Sequence, residues 1–330
     1  MSPALSSLQL FMLAGLAFVA VGSLMASAVV RLASPPILGL EPHVRHHVLV
    51  GLAAAPVIVS ALLLFSAALP SVASLLLPEF DHCSTHDDGH AHLCFIHLPR
   101  GPLNAPSLLL LVFVTAYLLA SWAMSGAAIF RSSRLLRALT ATALPTVDDV
   151  TILETSEAVC MAGGLLRPRV FVSRGLLTQL GEGGQAVVFE HERAHIRRRD
   201  ALVASLVRLC VPLHVPGVGS WLLREIEIAA EQACDEETGA HIGDRVRVAE
   251  AILVVERLAQ SAPAGAVPAG VVGFGDCAVV RRVESLLEEP TAPRSLRLVG
   301  IALSLASVAV LLGSSTLHHT TESLISVIAH

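Results

Sequence analysis

Apolar residues in this chain fall in blocks. They concentrate at residues 7–30, 47–77, 105–130 and 298–317, and charge is nearly absent inside each block. A helix needs about 20 apolar residues to cross a bilayer, so the pattern predicts four transmembrane helices. Ala26-Ser27-Ala28 looks like a small-residue cleavage site. No basic residue precedes the first apolar run, however, so that run reads as an uncleaved span. Residues 131–297 are mixed in charge, as a water-facing domain requires, and are bounded by the third and fourth blocks. Within them, Val150–Glu154, Ala158–Met161 and Val170–Ser173 have strand character, the last two separated by Gly163-Gly164 and Arg167-Pro168. Apolar positions recurring at three and four predict helices over 185–200, 222–242 and 245–260, which makes the domain α+β. Ala201–Val211 is strongly apolar, but Arg208, Pro212, His214 and Pro216 interrupt the segment. An intramembrane arginine is costly, so residues 201–221 are expected to form a core or interfacial helix and not a fifth span.

Composition agrees with a membrane protein: 54% of the residues are hydrophobic and 15% charged, far from a soluble average. Positive residues are retained on the cytoplasmic side of bacterial membranes. Arg31 and Arg45 flank the first connection, Arg131, Arg134 and Arg137 follow the third block, and Arg294 and Arg297 precede the fourth. These should be cytosolic. The loop 78–104 carries Glu79, Asp81, Asp87 and Asp88 against Arg100, and so should lie outside with the N-terminus and a short tail, 318–330. The expected organisation is residues 1–130 with three spans, a cytosolic domain 131–297, and a fourth span 298–317. A net charge of −5 gives no basic face for nucleic acid, and none is expected as a direct partner. Every basic side chain apart from histidine is arginine, so mechanisms that need a lysine nucleophile, a Ser-x-x-Lys site or a phosphate-loop lysine are excluded.

The chemistry concentrates at His191-Glu192-Arg193-Ala194-His195. Residues four apart share a helix face, so two imidazoles can address one metal ion. The glutamate beside the first is placed to take a proton from an activated water. A catalytic zinc takes three protein ligands and leaves a position open. Downstream, Glu227, Glu231 and Asp235 are spaced by four on one predicted helix, while Glu225, Glu236 and Glu237 point elsewhere and are expected to be solvated. One of the first three should complete the metal site, and a neighbour should hydrogen-bond a ligating histidine.

The run His191-Glu192-Arg193-Ala194-His195-Ile196-Arg197-Arg198-Arg199-Asp200, followed by Glu231-Gln232-Ala233-Cys234-Asp235, resembles the BlaR/MecR-type membrane metallopeptidases, the antirepressors of β-lactamase regulation. Gly164–Ser173 and Val280-Arg281-Arg282-Val283 are similar to that family too, as is the placement of three spans before the domain and one after. The resemblance implies a gluzincin-like zinc peptidase fold holding one zinc ion. It implies His191, His195 and Glu231 as metal ligands, Glu192 as general base, and Asp235 and Asp200 as supports, with Glu227 in reserve. It further implies that an edge strand, Val170–Ser173 or Ala158–Met161, pairs with an extended substrate peptide. An oxyanion donor is also required, for which His214, Arg224 and His241 are the candidates. The expected substrate is a cytosolic protein such as a transcriptional repressor, or the chain itself. The expected setting is the bacterial inner membrane, with lipid as a partner and a homodimer as an admissible assembly.

The β-lactam receptors of that family carry a penicillin-binding sensor after the last span. This sequence shows none, so β-lactam sensing by this chain alone is not expected. The loop 78–104 offers another input: Cys83 and Cys94 stand among His82, His86, His90, His92 and His97. That density suits either a soft or borderline metal or a Cys83–Cys94 disulfide with solvated histidines. Cys160 and Cys277 read as small buried apolar residues, Cys210 lies in an apolar helix, and Cys234 adjoins the ligand helix. Two other functions compete with signalling proteolysis. One is a membrane quality-control or prenyl-protein endopeptidase, which usually places extra spans between its two motifs. The other is a non-catalytic metal or redox sensor, which would not need Glu192.

Overall fold

The computed structural model describes residues 3–76, 105–142, 150–260, 276–288 and 297–329. Helices α1 (Pro3–Leu38), α2 (Pro42–Leu76) and α3 (Ala105–Thr142) carry the first three apolar blocks. Among the described residues these three are long and apolar enough to cross a membrane. A short turn reverses the chain between α1 and α2, so the two helices pack antiparallel along their length. Gly22 makes the closest approach, since a Cβ there would stand 2.8 Å from the Pro56 Cα. Each helix outlasts its apolar block because nothing stops it at the polar boundary; α3 runs on through Arg131, Arg134 and Arg137.

The fourth block is helical. In place of one span over 298–317 and a tail over 318–330, the chain forms α10 (Arg297–Leu312) and α11 (Ser314–Ala329), broken at Gly313. The polar run Ser314–Thr321 is drawn into α11 by packing on α2, where buried His318 hydrogen-bonds the Ala67 carbonyl at 2.6 Å.

The polar segment opens with a three-stranded sheet in the order β1 (Val150–Leu153), β3 (Arg169–Ser173), β2 (Cys160–Gly163). β3 lies parallel to β1 and antiparallel to β2. It is central, with Val170, Phe171, Val172 and Ser173 all buried, which is why its sequence lacks the two-residue alternation of a half-exposed strand. Ser173 ends the strand and starts α4 (Arg174–Gln179): its hydroxyl accepts the Leu176 and Val159 amides at 3.1 and 3.0 Å. A serine at this position satisfies a helix N-terminus that would otherwise be orphaned.

Helix α5 (Glu182–Arg198) follows and stops at Arg199, the one non-glycine described residue with positive φ (56°). That left-handed residue separates α5 from α6 (Asp200–Cys210), so the helix expected over 185–200 ends two residues early and Asp200 opens the next helix at a sharp corner. A 3₁₀ turn (Val211–Leu213) and Gly217, at φ 87°, then reverse the chain into α7 (Val218–Ile242). This α6–α7 hairpin lies along the candidate spans. The Val215 amide donates to the Ser23 hydroxyl at 2.8 Å, and the His214 Nε2–H donates to the Ala53 carbonyl at 2.9 Å. At 1.5 Å per residue, those contacts lie about 16–22 Å along α2 and α1 from their shared turn. One core joins the four helices: Ile37, Leu49, Ala53, Val207, Leu222, Ile226 and Ala229. Helices α8 (Arg245–Gln260) and α9 (Asp276–Leu287) close the other side through Val187, Val248, Ala249, Ala251 and Leu286.

Replacing Gly22 by leucine should force α1 and α2 apart. Overpacking of this kind costs about 1–3 kcal/mol, and a lowered thermal transition of the detergent-solubilised protein, relative to Gly15→Leu, would register it. A Cβ at Gly15 meets nothing within 4 Å.

Candidate metal centre

Helix α5 turns one face to α7, and on that face His191 and His195 present their Nε2 atoms 3.1 Å apart. Glu231 on α7 sets one carboxylate oxygen 3.3 Å from the His191 Nε2 and the other 3.4 Å from the His195 Nε2. A zinc ion bound tetrahedrally at about 2.0–2.1 Å would hold its ligand atoms about 3.3 Å from one another. The two nitrogens and the carboxylate that spans them therefore converge at close to ligand spacing, one donor atom from each residue lying within 4.8 Å of the others, and nitrogen and oxygen donors suit zinc.

The other ring nitrogens face carboxylates. His191 Nδ1 lies 3.0 Å from Asp235, and His195 Nδ1 lies 2.8 Å from Asp200. In the neutral rings that a metal requires, each Nδ1–H would donate to its carboxylate and each Nε2 lone pair would face the shared point, an arrangement typical of metal-ligating histidines. The corner at Arg199 makes the second pairing by folding Asp200 back beneath His195. Glu227 is not among the converging groups, because its carboxylate accepts from Arg208 at 3.0 Å.

These charges are buried, and an arginine from α9 answers them. Arg282 donates to both oxygens of Asp235, from Nε at 2.7 Å and Nη2 at 2.8 Å, and stands 3.1 Å from Glu231 through Nη1. Burial by itself would raise the carboxyl pKa values, but Arg282 and the imidazoles hold Asp235 below the usual carboxylate range and Glu231 well below it. Burial would likewise lower the imidazole values. It is outweighed at His191 by Asp235 and Glu231, and at His195 chiefly by Glu231 with Asp200, so both lie above the ordinary histidine value, His195 well above.

Two cysteines touch this centre. Cys234 Sγ lies 3.4 Å from both His195 Nδ1 and Asp200 Oδ2, and burial pushes its thiol up to about 12, so it remains a protonated donor to Asp200. Cys160, expected as apolar packing, stands beside the buried carboxylate of Glu192 from β2, and burial with that neighbouring charge keeps its thiol well above the ordinary value. Glu192 thus lies on the side of α5 that faces the sheet. β3 has both edges paired, so of the two strands expected to receive a peptide only β2 keeps an edge free of strand partners among the described residues.

Other expectations fall elsewhere. Glu225 is buried, not solvated, and is paired with Arg281 at 2.8 and 3.2 Å; its partner comes from a distant helix that the local pattern could not supply. His214 is engaged by α2, Arg224 is exposed, and exposed His241 stands 3.8 Å from Glu190, so none of the three oxyanion candidates joins the centre. Cys83, Cys94, His82, His86, His90, His92 and His97 lie outside the described residues. Arg282, Arg198 and Gln232 received no role from the sequence. The only signal for Arg282 was its place in the Val280–Val283 run, which by itself indicates no contact.

A helix bearing two histidines four apart with a glutamate between, a carboxylate from a second helix facing both imidazoles, and adjoining apolar helices of membrane length define a membrane-associated peptidase centre. Comparison with protein families agrees. Residues 102–286, just over half of the chain, match the family described as BlaR1 peptidase M56, and the chain belongs to that family. No curated protein and no solved structure matches the chain.

Removing the arginine should expose how much of the centre depends on it. Arg282→Met leaves Asp235, 1% exposed, without its counter-charge, and breaking a buried pair in this way costs about 3–5 kcal/mol. Thermal unfolding of the metal-free protein should show that loss, with part of it recovered in Arg282→Met/Asp235→Leu.

Proposed function

We propose that this protein is a zinc-dependent endopeptidase of the bacterial inner membrane, with a cytosolic catalytic domain that cleaves a cytosolic regulator of repressor type, or the chain itself, in transmembrane signalling. The observation that carries the reading is the convergence of the His191 and His195 Nε2 atoms, 3.1 Å apart, on the Glu231 carboxylate, which sets one oxygen 3.3 Å from the first and the other 3.4 Å from the second, with the remaining ring nitrogens facing Asp235 and Asp200. Family membership supports the peptidase activity. The arginines beside the apolar helices support a cytosolic domain.

In this reading His191, His195 and Glu231 hold one zinc ion, which when bound would polarise an attacking water and the scissile carbonyl. Asp235 and Asp200 keep the imidazole tautomers and orientations fixed, so that no rearrangement is needed as charge develops. Glu192 takes the proton of the attacking water and delivers it to the leaving amine. The Cys160 thiol holds the Glu192 carboxylate between sheet and helix. An extended peptide adds along the free edge of β2, whose backbone groups would align the scissile bond beside α5. Retention of a buried glutamate at 192 favours catalysis over a purely structural metal site, which has no use for a base.

Loss of the base at Glu192→Ala should lower turnover by about 100-fold or more while zinc content stays at wild-type stoichiometry. Peptide cleavage in proteoliposomes and metal analysis of the same preparation would check both halves, and equal cleavage by the two proteins would overturn the assignment. Chelation by phenanthroline should silence the wild type, and added zinc should restore it. Glu231→Ala should fail to retain zinc through the same dialysis that the wild type survives.

A further inference from the structure

The centre does not end at the peptidase segment. Two hydrogen-bonded chains leave it in different directions, and both arrive at the first turn of α2, one of the three helices able to cross a membrane.

One chain starts at Arg45, which is 6% exposed. Its Nη1 donates to the carbonyl of Leu38 at the end of α1 at 2.8 Å, and its Nη2 donates to the Gln232 side-chain carbonyl. The Gln232 Nε2 in turn donates to the Arg281 carbonyl at 2.7 Å. An arginine can only donate and a carbonyl can only accept, so the orientation of the Gln232 amide is fixed by its two neighbours. The next side chain along α9 is Arg282, whose guanidinium grips Asp235 and Glu231. The other chain starts at His43, two residues from Arg45. Its Nδ1 accepts from the Arg198 Nη1 at 3.0 Å, Arg198 Nε lies 3.4 Å from Asp200, and Asp200 holds His195. One turn of α2 therefore braces the centre from both flanks: Glu231 and Asp235 through α7 and α9, and His195 through the α5–α6 corner.

We propose that the first turn of α2 is a positioning element of the metal centre, with Arg45 acting through Gln232 and Arg282 on Glu231, and His43 acting through Arg198 and Asp200 on His195. Neither residue touches the donor atoms; each limits where those atoms can stand. Rotation or axial displacement of α2 strains both chains together, because His43 and Arg45 sit on the same turn. A stimulus borne by the membrane helices thereby reaches the ligand geometry without a separate transmitting segment. The inference rests on the metallopeptidase reading above.

The test uses the full chain in nanodiscs, loaded with cobalt or zinc. His43 is exposed, so His43→Leu should fold while removing the acceptor for Arg198, and His43→Asn should keep an acceptor there. Partners behind metal-ligating histidines typically govern affinity by about 10- to 100-fold. His43→Leu and Arg45→Met are expected to lose zinc to a chelator about tenfold more readily, to alter the visible cobalt absorption, and to lower kcat at unchanged KM. His43→Asn is expected to restore all three, and Arg31→Met, on α1, to change none. A folded His43→Leu protein with wild-type zinc affinity and cobalt absorption overturns the proposal, as does equal impairment in His43→Asn. Should Arg45→Met not fold, the His43 pair decides. A wild-type chain that takes up no stoichiometric cobalt would instead overturn the metallopeptidase reading.

Discussion

Buried negative charge is the constraint around which this structure is arranged. Asp235 and Glu225 are almost fully enclosed, Asp200 and Glu192 nearly so, and Glu231 stands between two imidazoles. Carboxylates removed from water without partners would cost several kcal/mol each. Each of Glu231, Asp235, Asp200 and Glu225 has a cationic or imidazole partner supplied by another helix or helix corner. Arg282 serves two of them and Arg281 a third, both from α9. The position of α9 is therefore coupled to the site more tightly than its modest apolar face would require.

The same constraint ties the peptidase segment to the apolar helices. Helix α7 carries Glu231 and Asp235 from its middle onward and packs Leu222, Ile226 and Ala229, in its first half, against α2. A 25-residue helix is stiff over that length, so the Glu231 carboxylate is placed by contacts made along the apolar helices as well as by the sheet. The α6–α7 hairpin reinforces this by hydrogen-bonding backbone or ring N–H groups to Ser23 and Ala53. Satisfying such groups internally matters most where water is scarce. The sheet contributes from the opposite side: β3, buried through both neighbours, fixes β2, and β2 sets Cys160 against Glu192.

Much of this was legible in the chain. Three apolar blocks became three long helices, and the strands at 150–154, 158–161 and 170–173 were displaced by no more than two residues. The periodic segments 222–242 and 245–260 correspond to α7 and α8, with α7 starting four residues earlier. These are local properties. Other features could not be read locally. The helix expected over 185–200 stops at Arg198, and the corner that follows is made by a left-handed arginine, a residue type that gives no turn signal. The fourth apolar block divides at Gly313 because α11 finds its partner on α2. Segment 276–287 carried no predicted element, yet it forms the helix that neutralises the centre.

The sequence by itself determined the two-histidine helix turn, the acidic helix that follows it, and the apolar lengths, because helical periodicity and transfer of apolar surface act on neighbours in the chain. Tertiary structure alone decided which carboxylate faces both imidazoles, which cation offsets it, and that Glu227 pairs with Arg208 while Glu231 stands at the imidazoles. Those outcomes depend on Coulomb and hydrogen-bond partners 19 to 51 positions apart (Arg208–Glu227 and Glu231–Arg282), whose convergence only the packing of α5, α7, α9 and the first turn of α2 establishes.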